Sequence, residues 1–139
     1  MPQARVIVSA VVLRDERNRV LTVRKRGTHR FMLPGGKPDL GEDAAATALR
    51  EVREEIGARL DRPALTLLGV FTAAAANEPD TRVEGTIFSH PALVQPHPAA
   101  EIAQIRWLDL TQALPDDLAP LLAEQVLPRL GLGSTAGTP

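Results

Sequence analysis

Three observations in the sequence predict an α/β fold, a sandwich of helices around a mixed β-sheet. Runs of Val, Ile and Leu of strand length recur along the chain, a stretch without Gly or Pro shows helical periodicity over residues 43–56, and a second helical spacing of leucines lies near the end. Strands interleaved with helices bury their apolar faces best as a sheet covered by helices.

Residues 5–14, rich in Val and Ile, read as the first strand, with a turn at residues 15–18. Residues 20–25 form the second strand and residues 26–30 a loop. Residues 31–33 read as a short strand entering Leu33-Pro34-Gly35-Gly36-Lys37. Between Asp43 and Ile56, Ala45, Ala48, Leu49, Val52 and Ile56 mark one apolar helix face. Gly41 and the acidic pair Glu42-Asp43 suit the start of this helix, and Gly57 suits its end. Residues 65–74 and 81–89 are expected as strands around the turn Asn77-Glu78-Pro79-Asp80, and residues 106–110 as another. Leu118, Leu121, Leu122 and Val126 place a closing helix over residues 117–126, which Pro128 should limit. The expected organisation is a single domain over residues 1–130 and a small, polar, flexible tail over residues 131–139.

Composition narrows the function classes. With 139 residues, 44% of them apolar, the chain can bury a core of its own. A net charge of −1 supplies no field for a nucleic-acid polymer or a membrane surface, and no stretch approaches the roughly 20 apolar residues of a membrane span. The absence of Cys excludes disulfides, thiol catalysis and thiolate metal sites. The apolar run over residues 6–13 is followed at once by Asp15-Glu16-Arg17-Asn18-Arg19 without a cleavage site, so it reads as a buried strand rather than a secretory segment. A cytoplasmic location is expected.

The chemistry concentrates on the first helix. At about 100° per residue, Glu51, Glu54 and Glu55 fall within roughly a 100° arc, about 120° from the middle of the apolar face, on what should be one exposed stripe. Carboxylates about 5 Å apart repel by about 3 kcal/mol per pair at an effective dielectric near 20, a cost that a divalent cation removes. Oxygen-only ligands point to a hard ion, Mg²⁺ with Mn²⁺ able to substitute, and Mg²⁺ characteristically bridges to substrate phosphates. The small Ala44 and Thr47 on the same side should leave space for hydrated metal and phosphate. By themselves, residues 50–55 also fit an ordinary solvated face with an i,i+4 pair between Arg50 and Glu54. The preceding Gly35-Gly36 turn, whose backbone amides can approach phosphate, favours the metal reading.

Taken together, Gly36, Glu42, Arg50, Glu51, Glu54, Glu55 and Gly57 stand in the order G-x5-E-x7-R-E-U-x-E-E-x-G-U, with U a bulky aliphatic residue. Chance recurrence in a chain of this length is on the order of 10⁻⁷ to 10⁻⁶, so coincidence is set aside. The order resembles the signature of the Nudix hydrolases, which cleave nucleoside diphosphates linked to another group. Only Ala58 departs from it, standing where Ile, Leu or Val is usual and weakening a packing contact. The resemblance covers nearly the whole chain and implies a Nudix-type α/β/α sandwich. It assigns Glu51, Glu54 and Glu55 to metal, Arg50 to orienting one of those glutamates, Gly36 and Gly57 to structure, and Glu42 to holding the loop on the helix.

Elsewhere, Arg24 resembles a phosphate-contacting arginine of MutT-type members, and Gly35, Gly36 and Lys37 are expected beside the substrate. Lys25 and Arg26 read equally as solvated strand-end residues. Glu101 resembles a glutamate that in some members binds metal or activates water, so Glu54 and Glu101 are the two candidates for general base, beside the reading of Glu101 as a surface carboxylate. Of the four aromatic residues, Phe71 and Phe88 are the ones to test for base stacking, although most of the four suit the core better. His90 and His97 read as incidental. No proline falls between Phe71 and Asn77 and the chain has no Tyr, so marks of the ADP-ribose and dinucleoside polyphosphate hydrolases are missing. The expected reaction is hydrolysis of a (deoxy)nucleoside triphosphate to monophosphate and pyrophosphate by a monomer or homodimer. The alternatives are an ADP-ribose, nucleotide-sugar or broad-specificity pyrophosphatase and, in another class, a non-catalytic nucleotide sensor.

Overall fold

The chain alternates apolar side chains so that its first strand can be buried on both faces. In the computed structural model, which describes residues 4–130, this strand is β1 (Ala4–Leu13). Ala10 and Val12 face one core and Val11 and Leu13 the other, as the period of two in a strand requires. β1 is followed by β2 (Val20–Lys25), β3 (Gly35–Gly36), α1 (Ala44–Ile56), a single 3₁₀ turn, β4 (Thr66–Ala74), β5 (Thr81–His90) and β6 (Ile102–Leu108). The C-terminal helix α2 joins a wide π-helical stretch, Leu121–Val126, to the α-helical turn Leu127–Arg129.

The sheet is mixed, as expected. Its four strands run in the order β3-β1-β5-β4, with β1 and β5 parallel in register from Ala4 opposite Thr81 to Leu13 opposite His90. β3 and β4 flank them antiparallel. β2 and β6 form a separate antiparallel pair with a bulge at Arg24/Lys25. Val11, Leu13, Leu21 and Val23 pack under Ala48, Val52 and Ile56 of α1. Ala10, Val12, Phe71 and Ile87 pack under Leu122, Val126 and Leu127 of α2.

Four expectations about elements are corrected. Phe31 and Met32 form only isolated bridges, and the strand that joins the sheet is Gly35–Gly36. Backbone approach decides this, because a Cβ on Gly35 would lie 2.2 Å from Ser9 O. β6 starts at Ile102 rather than at residue 106, since Ile102 is buried against the α1 side. The closing helix starts later than residue 117, because Asp117 O and Ala119 N are bonded to Phe31 in an extended pairing. Finally, the helix runs through Pro128. The Leu127 amide reaches back five residues to Leu122 O, and this widened turn relieves the clash a proline ring makes with the carbonyl four residues before it. The tail expected over residues 131–139 lies outside the described residues.

Candidate active site

The acidic face of α1 is assembled by helix capping at both ends. Asp43 caps the N-terminus, accepting from Ala46 N at 2.8 Å, and also pairs with Arg62. At the other end Gly57 takes φ +73°, a left-handed conformation favouring glycine, and closes on Arg53 O at 2.9 Å. His97 N and Ala99 N then bond Ile56 O and Glu55 O at 2.8 and 2.9 Å. This connection brings the chain back along the helix end and positions Glu101 there.

Arg50 organises the surface of the helix. Its guanidinium donates to Glu42 Oε2 at 2.7 Å and Oε1 at 2.9 Å, to Glu51 Oε2 and Glu54 Oε1 at 3.0 Å each, and to Lys37 O at 2.9 Å. Asp39 lies 3.1 Å from its Nε. One planar cation thus ties the loop over residues 37–42 to the helix, and the Glu42 hydrogen bond foremost raises its pKa. Glu42 also accepts from Asp39 N and Thr47 Oγ1. Its carboxyl is held down at about 2, first by Arg50 and then by the Asp39 amide. Thr47 is fully buried, and neither it nor Ala44, expected to leave space beside the carboxylates, lines the cleft.

The three glutamates do not form one exposed stripe. Glu54 is 48% exposed and Glu51 17%, but Glu55 only 1%. The buried face of α1 includes Thr47 and Glu55, a wider arc than the apolar residues alone describe. Glu55 Oε1 accepts from Gly35 N at 3.1 Å, while Oε2 is buried without a hydrogen-bond partner and has Lys25 Nζ at 3.4 Å. Burial pushes this carboxyl up to about 7, against the downward pull of the Lys25 charge and the Gly35 amide. At Gly36 a Cβ would stand 2.4 Å from Glu51 Cδ, so the glycine leaves room for the end of that side chain.

Glu51, Glu54 and the Gly35-Gly36 turn open onto a cleft of about 470 Å³. Its polar end presents Glu51, Glu54, Glu101, Lys25, Lys37 and the Gly35-Gly36 backbone. Its other end is aliphatic, with Val6, Val8, Val83 and Leu121, and Asn77 and Glu78 also line it. Arg24 is not brought to the cleft. Its side chain is tied to Thr28 O at 2.8 Å and to Gln104, and strand alternation gives the cleft position to Lys25 instead. Lys25 follows Leu21 and Val23 on the face turned toward α1, a signal present in the strand pattern that the sequence reading left open. Phe71 and Phe88 are buried in the two cores, and none of the aromatic residues lines the cleft. Phe31 stacks under Arg106, whose Cζ is 3.8 Å from the ring centre. His90 accepts from Ala92 N and contacts Asp61 O, a structural role away from the cleft.

Among the described residues no three acidic or imidazole side chains already converge as a ligand cluster. The donors nevertheless suit a hard cation. Arg50 holds one oxygen of Glu51 and one of Glu54, leaving Glu51 Oε1 and Glu54 Oε2 without hydrogen bonds, and Glu55 Oε2 is the orphaned buried oxygen beside them in sequence. Three uncommitted carboxylate oxygens from one helix match the oxygen-only preference of Mg²⁺ or Mn²⁺.

Comparison with known proteins agrees with this architecture. The sequence profile of the NUDIX domain matches residues 3–130. A Xenopus laevis protein, nucleoside diphosphate-linked moiety X motif 6, is 44% identical over 52 residues, 36% of this chain. That match spans 24% of the relative's own length. Among solved structures, the MutT protein from Methanosarcina mazei superimposes with a TM-score of 0.70 at 17% identity, covering 100% of this chain and 99% of that one. An Ap4A hydrolase from C. elegans does so with a TM-score of 0.62 at 19% identity, covering 95% and 96%. At these identities the structural likeness establishes the fold.

Proposed function

The chain belongs to the NUDIX-domain family, and from that premise we propose that it hydrolyses a phosphoanhydride in a nucleoside diphosphate-linked substrate with the help of a divalent metal. The observation that carries this reading is Glu51 and Glu54 facing the polar end of a cleft whose other end is aliphatic, both held by Arg50, with the orphaned buried oxygen of Glu55 next to Glu54 on the same helix. Mg²⁺ is the proposed ion, held by Glu51, Glu54 and Glu55, with Mn²⁺ as substitute. When bound, such an ion supplies charge neutralisation on the phosphates and a more acidic water.

The chain's own groups supply the rest. Arg50 fixes Glu51 and Glu54 so that neither reorients during the reaction. Lys25, Lys37 and the Gly35-Gly36 backbone line the place where phosphate oxygens gather. Glu54 or Glu101, both on the cleft, accepts the proton of the attacking water, a role worth about 10² to 10⁴ in rate. The aliphatic end receives the organic part of the substrate. The preferred substrate is a (deoxy)nucleoside triphosphate, giving the monophosphate and pyrophosphate, in a cytoplasmic setting.

Separation and quantification of the nucleotide and phosphate-containing products formed from triphosphates, ADP-ribose, nucleotide sugars and dinucleoside polyphosphates, each with Mg²⁺, Mn²⁺ or EDTA, tests the proposal. Metal-dependent pyrophosphate release from triphosphates, lost in Glu54→Gln, is the expected result. Turnover confined to ADP-ribose or nucleotide sugars moves the substrate to those classes. Binding without turnover by folded wild-type protein overturns catalysis in favour of sensing.

A further inference from the structure

The buried carboxylate and its partner suggest how the site is kept when no divalent ion is bound. Glu55 Oε2 has no hydrogen bond, and its charge is balanced only by Lys25 Nζ at 3.4 Å, an ion pair without a directional lock. The Lys25 side chain is 36% exposed and lines the cleft, so its ammonium has somewhere to go. Glu51 and Glu54, by contrast, are each held at 3.0 Å by Arg50, whose fork also grips Glu42. Residue choice fits the difference. The chain has two lysines among its sixteen Lys and Arg residues, and both line this cleft. Arginine makes a rigid, bidentate clamp, whereas lysine is a compact charge on a flexible stem.

We propose that Lys25 is the resident counter-ion of the metal site: it neutralises Glu55 in the metal-free protein and is displaced into the cleft when a divalent cation binds. The inference rests on the proposed function in taking Glu55 as a ligand. It adds that one residue couples the two binding events, because the ammonium released by metal becomes free to meet phosphate. Metal and nucleotide then strengthen each other's binding, as reciprocal coupling requires.

With only two lysines, side-chain ammonium NMR resolves the question directly. In EDTA, one lysine Nζ resonance should be protected from exchange and absent from Lys25→Met; Lys37→Arg assigns it by elimination if Lys25→Met does not fold. Titration with Mg²⁺ should abolish that protection with the midpoint of metal binding. In the absence of nucleotide, Lys25→Met should bind Mn²⁺ about tenfold more tightly than wild type, the competing cation having been removed. A Lys25 resonance unmoved by saturating Mg²⁺, or unchanged Mn²⁺ affinity in folded Lys25→Met, overturns the exchange and leaves the proposed function standing. Wild-type protein that binds neither Mg²⁺ nor Mn²⁺ overturns both.

Discussion

Glu55 gives the protein an unusual response to pH. Its carboxyl titrates at about 7 in the folded chain because it is buried, against 4.5 when exposed. The native state therefore binds this proton more tightly than the unfolded state, and the group's contribution to stability falls as pH rises from about 4.5 to about 7. Denaturant unfolding in EDTA should show that decline, and Glu55→Gln should remove it. Glu42 acts with the opposite sign: held at about 2 by Arg50 and the Asp39 amide, it stabilises the native state above pH 4.5, and this is lost as pH falls toward 2. The paired glycines yield a second prediction. Gly35→Ala drives a Cβ into Ser9 O and should destabilise by about 1–3 kcal/mol, read as a lowered denaturation midpoint. Gly36→Ala meets the end of the flexible Glu51 side chain instead, so the variant should fold but bind Mn²⁺ more weakly.

At the scale of elements, α1 is both a structural rib and the carrier of the site, and the two roles can be separated. Asp43 caps the helix without facing the cleft, so Asp43→Ala should cost about 1 kcal/mol in thermal or denaturant unfolding and leave Mn²⁺ affinity unchanged. Arg50→Lys should do the reverse. One ammonium cannot span Glu42, Glu51, Glu54 and Lys37 O together, and activity should fall by about 10- to 100-fold in steady-state assays. The return of residues 97–99 along the end of α1 shows the same principle: irregular backbone brings Glu101 to a site that the helix begins.

For the whole molecule, the proposed metal site would link cation binding to folding through the same buried carboxylate. As the ligand proposed above, Glu55 would have to be unprotonated to hold a cation, so Mg²⁺ should raise the melting temperature more near pH 8 than near pH 6. A shift independent of pH would separate Glu55 from the metal. The architecture makes this coupling global, because Gly35 N, the Glu55 partner, belongs to β3 and β3 is hydrogen-bonded to the central β1. Among the described residues no helix is long and apolar enough to cross a membrane.

The sequence alone determined what depends on near neighbours. The helix expected over residues 43–56, its start near the acidic pair Glu42-Asp43 and its end at Gly57, the strands β1, β2, β4 and β5, and the order of the acidic motif all follow from local periodicity and spacing. The mixed sheet and the sandwich followed from the alternation of those elements. Only tertiary structure decided what depends on which surfaces meet. Glu55 and Glu54 are adjacent on the same helix, yet packing against Gly35 and Lys25 buries one while the other faces solvent. The same packing chose Lys25 over Arg24 for the cleft, Gly35–Gly36 over Phe31 and Met32 for the strand, and a wide helical turn that accommodates Pro128. Spacing along the chain states which residues share a helix or strand face, but burial, which for Glu55 also raises the carboxyl's pKa, is set by the partner that covers that face.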